Sequence, residues 1–155
     1  MATQAIAGKF TTVEINSDLP PLGPDPASWV QLAEVTDIGQ IPLSRTLIDV
    51  SYHDTNIWPD RILGMAAPTD IDLELNFVHS QYEQLNSMWD DEQTHWFRLV
   101  LRKNWITSPG DNYWEILIEA LVSDVSLTPP IDGAVMANVT LAASGRVEYS
   151  QKQFT

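Results

Sequence analysis

Several residue types and patterns that mark catalytic or membrane proteins are missing from this sequence. It contains no cysteine, which excludes disulfides, thiolate metal sites and cysteine nucleophiles. Only three of its 155 residues are histidine, and their spacing is not that of metal ligands. No apolar run approaches the ~18 residues of a membrane span, and the N-terminus lacks the basic and apolar regions of a secretory signal. We therefore expect no membrane contact and a protein that stays in the cytoplasm of the cell that makes it.

Positive charge is also scarce. The chain has 21 acidic and 8 basic residues, which gives a formal net charge of −13. This balance disfavours a surface that binds nucleic acid by neutralising phosphates. A solvated surface explains most acidic proteins, and the alternative is a surface that must not adhere to a polyanion.

Carboxylates are abundant, but no arrangement of them indicates an active site. The cluster at 90–92 follows a predicted helix and is typical of a solvated loop. His53 and Asp54 are adjacent, but a pair this short more often marks a surface turn than a metal site. The sequence has no glycine-rich phosphate loop and no G-x-S-x-G motif. It therefore predicts no catalytic, cofactor-binding or metal-binding residue, and a protein that is not an enzyme.

The hydrophobic pattern predicts one mainly β domain, 1–155, with a single helix. Residues 70–77 alternate strictly between acidic or amide and apolar side chains, a period of two that indicates a strand. The period then becomes helical over about 79–91, where Ser80 and Glu83 fit a capping box. Further strands are predicted at 11–16, 29–36 (inside a sheet), 96–102, 113–127 (with a bend or break at 123–124), 134–143 and 145–149.

A long connection at about 37–68 does not fit this regular pattern. Gly39, Pro42 and other glycines and prolines interrupt short extended pieces such as 47–52. A connection this long is unusual in a compact domain and is normally functional or disordered. Its aliphatic and aromatic content is too high for disorder. We predict a long two-armed excursion that packs against a neighbouring copy of the chain.

Over about residues 10–150, an ordered set of short motifs resembles the major tail tube protein family of siphophages, which includes the tube protein of phage lambda. The motifs are Glu34–Ile38, Pro42 with Ser44–Arg45 and Ile48–Ser51, Leu73–Phe77, the helix, Phe97–Val100 and Asn138–Val147. The resemblance implies an antiparallel β-sandwich or half-barrel with one flanking helix, a long extended loop and a flexible N-terminal arm at about 1–9. It also implies rings of six copies that stack into the tail tube and conduct DNA from capsid to host.

The same resemblance assigns roles to particular residues. It implies an inter-subunit interface that includes Ile41, Pro42, Ser44, Arg45, Ile48, Asp49 and Trp58. Asp70, Asp72 and Glu74 alternate with apolar residues and therefore share one strand face, for which the outside of the tube or the helix end is one location. If that sheet instead lines the DNA channel, the three form a negative wall, which Glu115 and Glu119 join if their strand is a neighbour. Like charges would repel DNA there within a Debye length of about 8 Å.

The implied partners are the other copies of a homo-hexamer and the tail tip or initiator, tape-measure and tail terminator proteins. DNA would pass through the tube without specific binding. The implied location is the tail of the virion, after assembly in the host cytoplasm.

Two other interpretations stay open. The six tryptophans are compatible with a carbohydrate-binding or adhesion β-sandwich module that stacks sugars on exposed rings, although core or interface packing explains most of them. A tube-forming secretion-system component of the same fold has no sequence pattern that separates it from a phage tail tube protein.

Overall fold

Ten strands and one helix make up the part of the chain that the computed structural model describes. These residues are 11–16, 28–32, 35–41, 43–50, 60–66, 70–103, 108–145 and 147–154. The elements are β1 (Thr11–Asn16), β2 (Trp29–Gln31), β3 (Val35–Ile38), β4 (Arg45–Asp49), β5 (Arg61–Ala66), β6 (Asp70–Asn76), α1 (His79–Asp91), β7 (His95–Leu101), β8 (Asn112–Thr128), β9 (Met136–Ala143) and β10 (Glu148–Gln153). The predicted N-terminal arm at 1–9 lies outside the described residues.

Eight of the strands form one antiparallel sheet. Seven of them follow the order β2-β1-β7-β8-β9-β6-β3, and the eighth, β10, pairs with β8. The long strand β8 joins two halves of this sheet. Its residues 114–120 pair with β7 and residues 112–117 with β10, whereas residues 120–128 pair with β9. A bulge between Val122 and Asp124 lies at this junction, where the sequence predicts a bend, because a bulge bends its strand.

We call β2, β1, β7, β10 and the first part of β8 the first half of the sheet. The second half consists of the end of β8 with β9, β6 and β3. The predicted mainly β, antiparallel fold with one helix is confirmed, and the described strands form an open sheet rather than a closed barrel.

The hydrophobic core lies on one face of both halves. In β6, Ile71, Leu73 and Leu75 are buried while the alternating acidic side chains are exposed, as the period of two predicts. The other strands contribute the buried residues Val13, Ile15, Phe97, Leu99, Ile118, Ala120, Ala137, Val139 and Leu141. Burying each large side chain stabilises the fold by roughly 1.5–3 kcal/mol.

Helix α1 covers the predicted residues and packs on this core through Leu85 and Met88, next to β8. The predicted capping box is wrong. The N-cap residue is Val78, which has an extended backbone and no side-chain hydrogen bond to the helix. No helix in the described ranges is long and apolar enough to cross a membrane.

The strand predicted at 29–36 is instead two strands that pair with different partners. β2 pairs with β1 and β3 pairs with β6, so the two strands lie at opposite ends of the sheet order. The predicted position inside a sheet is therefore wrong. Within this stretch Val30 of β2 is exposed at the sheet edge, whereas Leu32, just after β2, is buried in the core.

Candidate functional site

The predicted two-armed excursion is a β-hairpin, which we call the arm, formed by β4 and β5. These strands pair only with each other among the described strands and form a separate two-stranded sheet. Leu47 lies opposite Leu63, and Ile48 lies opposite Ile62. Because side chains alternate between the faces of a strand, each face of the arm carries one of these aliphatic pairs.

The arm exposes large apolar side chains on both faces. Leu47, Ile48, Ile62 and Leu63 are all exposed, and Met65 is 88% exposed. An isolated two-stranded hairpin is marginally stable at best in water. A contiguous exposed apolar surface is typical of a protein interaction site. The arm therefore has the composition of a segment that packs on another molecule.

Most of the predicted interface residues lie on or beside the arm. Ser44, Arg45, Ile48 and Asp49 are exposed there. Ile41 is different, because its side chain is partly buried against the core of its own subunit and is used within the fold. Pro42 and Trp58 lie outside the described residues.

The structure adds Leu47, Ile62, Leu63 and Met65 to this surface. Their signal in the sequence was a high aliphatic content in a connection that should be polar. Periodicity did not reveal them, because a hairpin with two exposed apolar faces lacks the alternation of a half-buried strand.

The arm also carries two cations, Arg45 and Arg61. Neither forms an ion pair with a described residue. The other described cations are engaged: Arg98, Arg102 and Lys152 pair with glutamates, and Lys103 lies over the Trp114 ring. The arm thus combines apolar side chains with two positive charges and one negative charge, Asp49, in a strongly acidic protein.

The second half of the sheet has one acidic face, opposite the core. Its five exposed carboxylates are Asp37, Asp70, Asp72, Glu74 and Asp124. Asp37 lies opposite Glu74, and Thr140 lies between Asp72 and Asp124. Thr140 Oγ1 donates a hydrogen bond to Asp72 Oδ1 at 2.8 Å. β3, β6, β9 and residues 121–128 contain no lysine or arginine, so nothing within these strands neutralises this face.

Three of the five carboxylates are the predicted Asp70, Asp72 and Glu74, which share one exposed face. Sequence reasoning missed Asp37 and Asp124. Only the strand pairing places Asp37 opposite β6 and Asp124 opposite β9, the strand next to β6, and the bulge next to Asp124 sets the face on which its side chain lies.

Glu115 does not belong to this acidic face. It is 5% exposed and forms ion pairs with Lys152 Nζ at 2.6 Å and Arg98 Nη1 at 3.5 Å. It also accepts a hydrogen bond from Ser150 Oγ. Glu119 is half-buried, and its carboxylate lies over Gly145, where a β-carbon would approach Oε2 to 3.1 Å. The structure therefore does not extend the exposed acidic face to either residue.

Glu115 instead belongs to a charge cluster on the outer face of the first half. Arg98 Nε donates to Glu14 Oε2 at 2.7 Å, and Arg98 Nη2 also contacts that oxygen. Arg102 Nη2 lies 3.8 Å from Glu14 Oε1. The Trp29 ring covers the Arg98 guanidinium at 4.5 Å. The cluster links side chains of β2, β1, β7, β8 and β10, which indicates a structural rather than a chemical role.

A cavity and the arrangement of the possible metal ligands are two further features of the described residues. A cavity of about 540 Å³ between β3 and the β1–β7 pair is lined mainly by aliphatic side chains with Thr11, Thr36 and Asp37. No group of three or more histidine, aspartate or glutamate side chains in the described ranges is close enough to hold a metal ion.

The tryptophans do not form a sugar-binding platform within the described part of the chain. Trp89 is 50% exposed, but Trp29, Trp96 and Trp114 are half-buried. Trp29 and Trp114 are also covered by cations. This leaves the carbohydrate-binding alternative without a row of exposed rings.

The fold is shared with solved components of phage-like particles. One chain of the sheath–tube complex of an extracellular contractile injection system matches with a TM-score of 0.69 and 13% identity, over 95% of this chain and 92% of that chain. A chain from the tail of a gene transfer agent particle matches with a TM-score of 0.70 and 13% identity, over 94% of this chain and 99% of that one. The SPP1 tail tube matches with a TM-score of 0.66 and 14% identity, over 96% of this chain and 80% of that one. The chain has the fold of phage and phage-like tail tube proteins.

Among the comparisons with known proteins, only the comparison of structures gives matches. No protein-family model matches the sequence, and no curated protein sequence matches it. Identities of 12–14% to the solved structures explain this, because the shared feature is the arrangement of strands around the core.

Proposed function

We propose that this chain is the structural subunit of the tail tube of a long-tailed phage, with six copies in each ring and rings stacked into the tube. The tail-tube fold supports this function. The observation that carries it is the arm, whose two apolar faces are exposed in the single chain. A subunit of this kind needs neither catalysis nor a cofactor.

The arm accounts for stacking of the rings. It is attached where β3 ends and β6 begins, so it leaves the second half of the sheet at one end only. A contact made by one end of a subunit with a different surface of the next copy is heterologous, and such contacts continue indefinitely in a stack. Burial of the exposed leucine, isoleucine and methionine side chains would drive this contact.

The edges of the second half account for closure of a ring. The outer edge of β3 and the second edge of β8 over residues 121–128 pair with no described strand. Unpaired edges are templates for strand addition from another chain. Pairing β3 of one copy with β8 of the next would make one continuous sheet around the ring.

This closure would expose the acidic face to the inside of the tube. Carboxylates such as Asp72 and Glu74 would then line the channel and repel DNA without a specific contact. The tube would bind further proteins along its length and at its ends: a tail tip or initiator protein, a tape-measure protein and a terminator protein. The assembled protein would be located in the virion, after assembly in the host cytoplasm. The likeness to a contractile injection system favours a second candidate, a subunit of an injection tube.

Removal of the arm tests the proposal. Because Arg45 lies opposite Ala66, a two-residue Asn–Gly turn can replace residues 46–65 and close the hairpin at its base. The full chain should form rings and tubes on electron micrographs at high concentration, alone or with a tail-tip initiator. The shortened chain should keep its β-sheet circular dichroism and form no tubes. Tubes from the shortened chain, or a strictly monomeric full chain with every initiator, would contradict the proposal.

A further inference from the structure

We propose that the apolar turn between β8 and β9 is the surface that receives the arm of the next copy. This inference rests on the proposed stacking function and names the second contact surface of that stack. We define the apolar turn by the four exposed side chains Phe77, Leu127, Ile131 and Val135.

The apolar turn and the arm lie at opposite ends of the second half of the sheet. The turn follows Thr128 of β8, which is at the level of Met136 and, through it, of Asn76 at the end of β6. Phe77 continues this end, because its N–H donates to the Val135 carbonyl oxygen at 2.8 Å. The arm is attached at the Asp70 end of β6. The two ends are separated by six residue steps, or about 20 Å of strand.

The apolar turn has a large side chain with no cover in the single chain. Ile131 is 102% exposed, the highest value among the exposed large apolar side chains of the described residues. Gly133 has a φ of +132°, a conformation that favours glycine. A fully exposed isoleucine in this turn is suited to packing against exposed aliphatic side chains of a partner.

Charge selects the arm as the occupant. The apolar turn contains Asp132, which forms no ion pair with a described residue. The arm carries two cations, Arg45 and Arg61, that form no ion pair with a described residue, and one exposed carboxylate, Asp49, opposite Arg61. Its strands β4 and β5 therefore have an excess of positive charge. Apolar surface and opposite charge therefore coincide at the two ends of one subunit, so a second copy of this chain satisfies both.

The absence of cysteine allows a direct test by cross-linking. In the variant with both Met65→Cys and Ile131→Cys, the introduced residues are the only thiols of the chain. Oxidation of assembled tubes should link each copy to the next ring and give a ladder of chains well beyond the dimer on a non-reducing gel. The matched control combines Met65→Cys with Tyr149→Cys, because Tyr149 is also exposed, at 63%, but lies on β10 in the first half. The control should give no ladder.

A second experiment uses the direction of the stack. Rings of Met65→Asp have a damaged arm and an intact turn, and rings of Ile131→Asp have the reverse. Each variant alone should form single rings. Rings of the two variants that are prepared separately and then mixed should form pairs of rings, but no stack larger than a pair. In each pair the intact arm of the Ile131→Asp ring contacts the intact turn of the Met65→Asp ring, and no second contact of this kind is available.

The outcomes separate this inference from the proposed function. Two results would overturn the docking of the arm on this turn and leave the proposed tube function unaffected. One is normal tube formation by Ile131→Asp, and the other is the absence of a ladder after oxidation of tubes that carry both Met65→Cys and Ile131→Cys. If the unsubstituted chain forms no rings or tubes, the proposed function itself fails, and the inference fails with it.

Discussion

Replacing Arg98 with methionine removes the cation that joins two buried carboxylates. Glu14 and Glu115 are 8% and 5% exposed, and Arg98 contacts both from the strand between them. Methionine keeps most of the length of the side chain and its packing under Trp29. The substitution therefore tests the charge contribution with little change of volume.

The expected loss of stability depends on the partners that Glu14 and Glu115 keep when Arg98 is replaced. Removal of one partner of a buried ion pair costs about 3–5 kcal/mol, because the other charge stays buried without compensation. Arg102 still lies 3.8 Å from Glu14, and Lys152 lies 2.6 Å from Glu115. Since the two glutamates keep these weaker or more exposed partners, we expect the lower limit, about 3 kcal/mol of the free energy of unfolding. In a domain of this size that corresponds to a fall of about 9 °C in Tm.

The assay is urea and thermal unfolding of the arm-shortened chain, since assembly would otherwise add to the measured stability. The matched control is Lys103→Met, which removes an exposed cation over Trp114 and should change the free energy of unfolding by less than about 0.5 kcal/mol. A loss below about 1 kcal/mol for Arg98→Met would refute the reasoning, because the cluster would then contribute no more than a surface ion pair.

Three further predictions concern the core, the arm and the acidic face. Leu73→Ala should lower the free energy of unfolding by about 3 kcal/mol, because Leu73 is 1% exposed; a loss under 1 kcal/mol in urea would contradict its place in the core. Leu47→Asp should leave Tm within about 2 °C and abolish tubes on electron micrographs, since this side chain is 58% exposed in the single chain. Changing Asp70, Asp72 and Glu74 to lysine should preserve rings but make the tubes retain DNA at low salt and release it at high salt; salt-independent passage would contradict an acidic channel.

The strands with one buried face were predictable from the sequence. The alternation in β6 is complete because its apolar residues are all buried and its acidic residues are all exposed. The helix was predictable for a similar reason, since Leu85 and Met88 define one buried stripe. Local pattern is sufficient where one face of an element meets the core and the other meets water.

The edges of the sheet and the arm were less predictable. At 29–36 the sequence pattern does not distinguish one two-faced strand from two short edge strands, because both contain apolar residues on both faces. The arm has the same ambiguity, since its exposed apolar faces are explained only by a partner that the single chain lacks. Which residues share a surface depends on long-range pairing, and this is why Asp37 and Asp124 were missed and why the burial of Glu115 in an ion-pair cluster was not predicted.

The central claim is that the open sheet with its arm is the repeating unit of a tube. A cryo-electron microscopy reconstruction of the concentrated full chain tests it most directly. The account predicts stacked rings with six-fold symmetry, the arm of each copy lying in the next ring, and Asp70, Asp72 and Glu74 on the wall of the channel. Particles that stay monomeric at every concentration and with every initiator, or a tube whose three carboxylates face the outside, would contradict it.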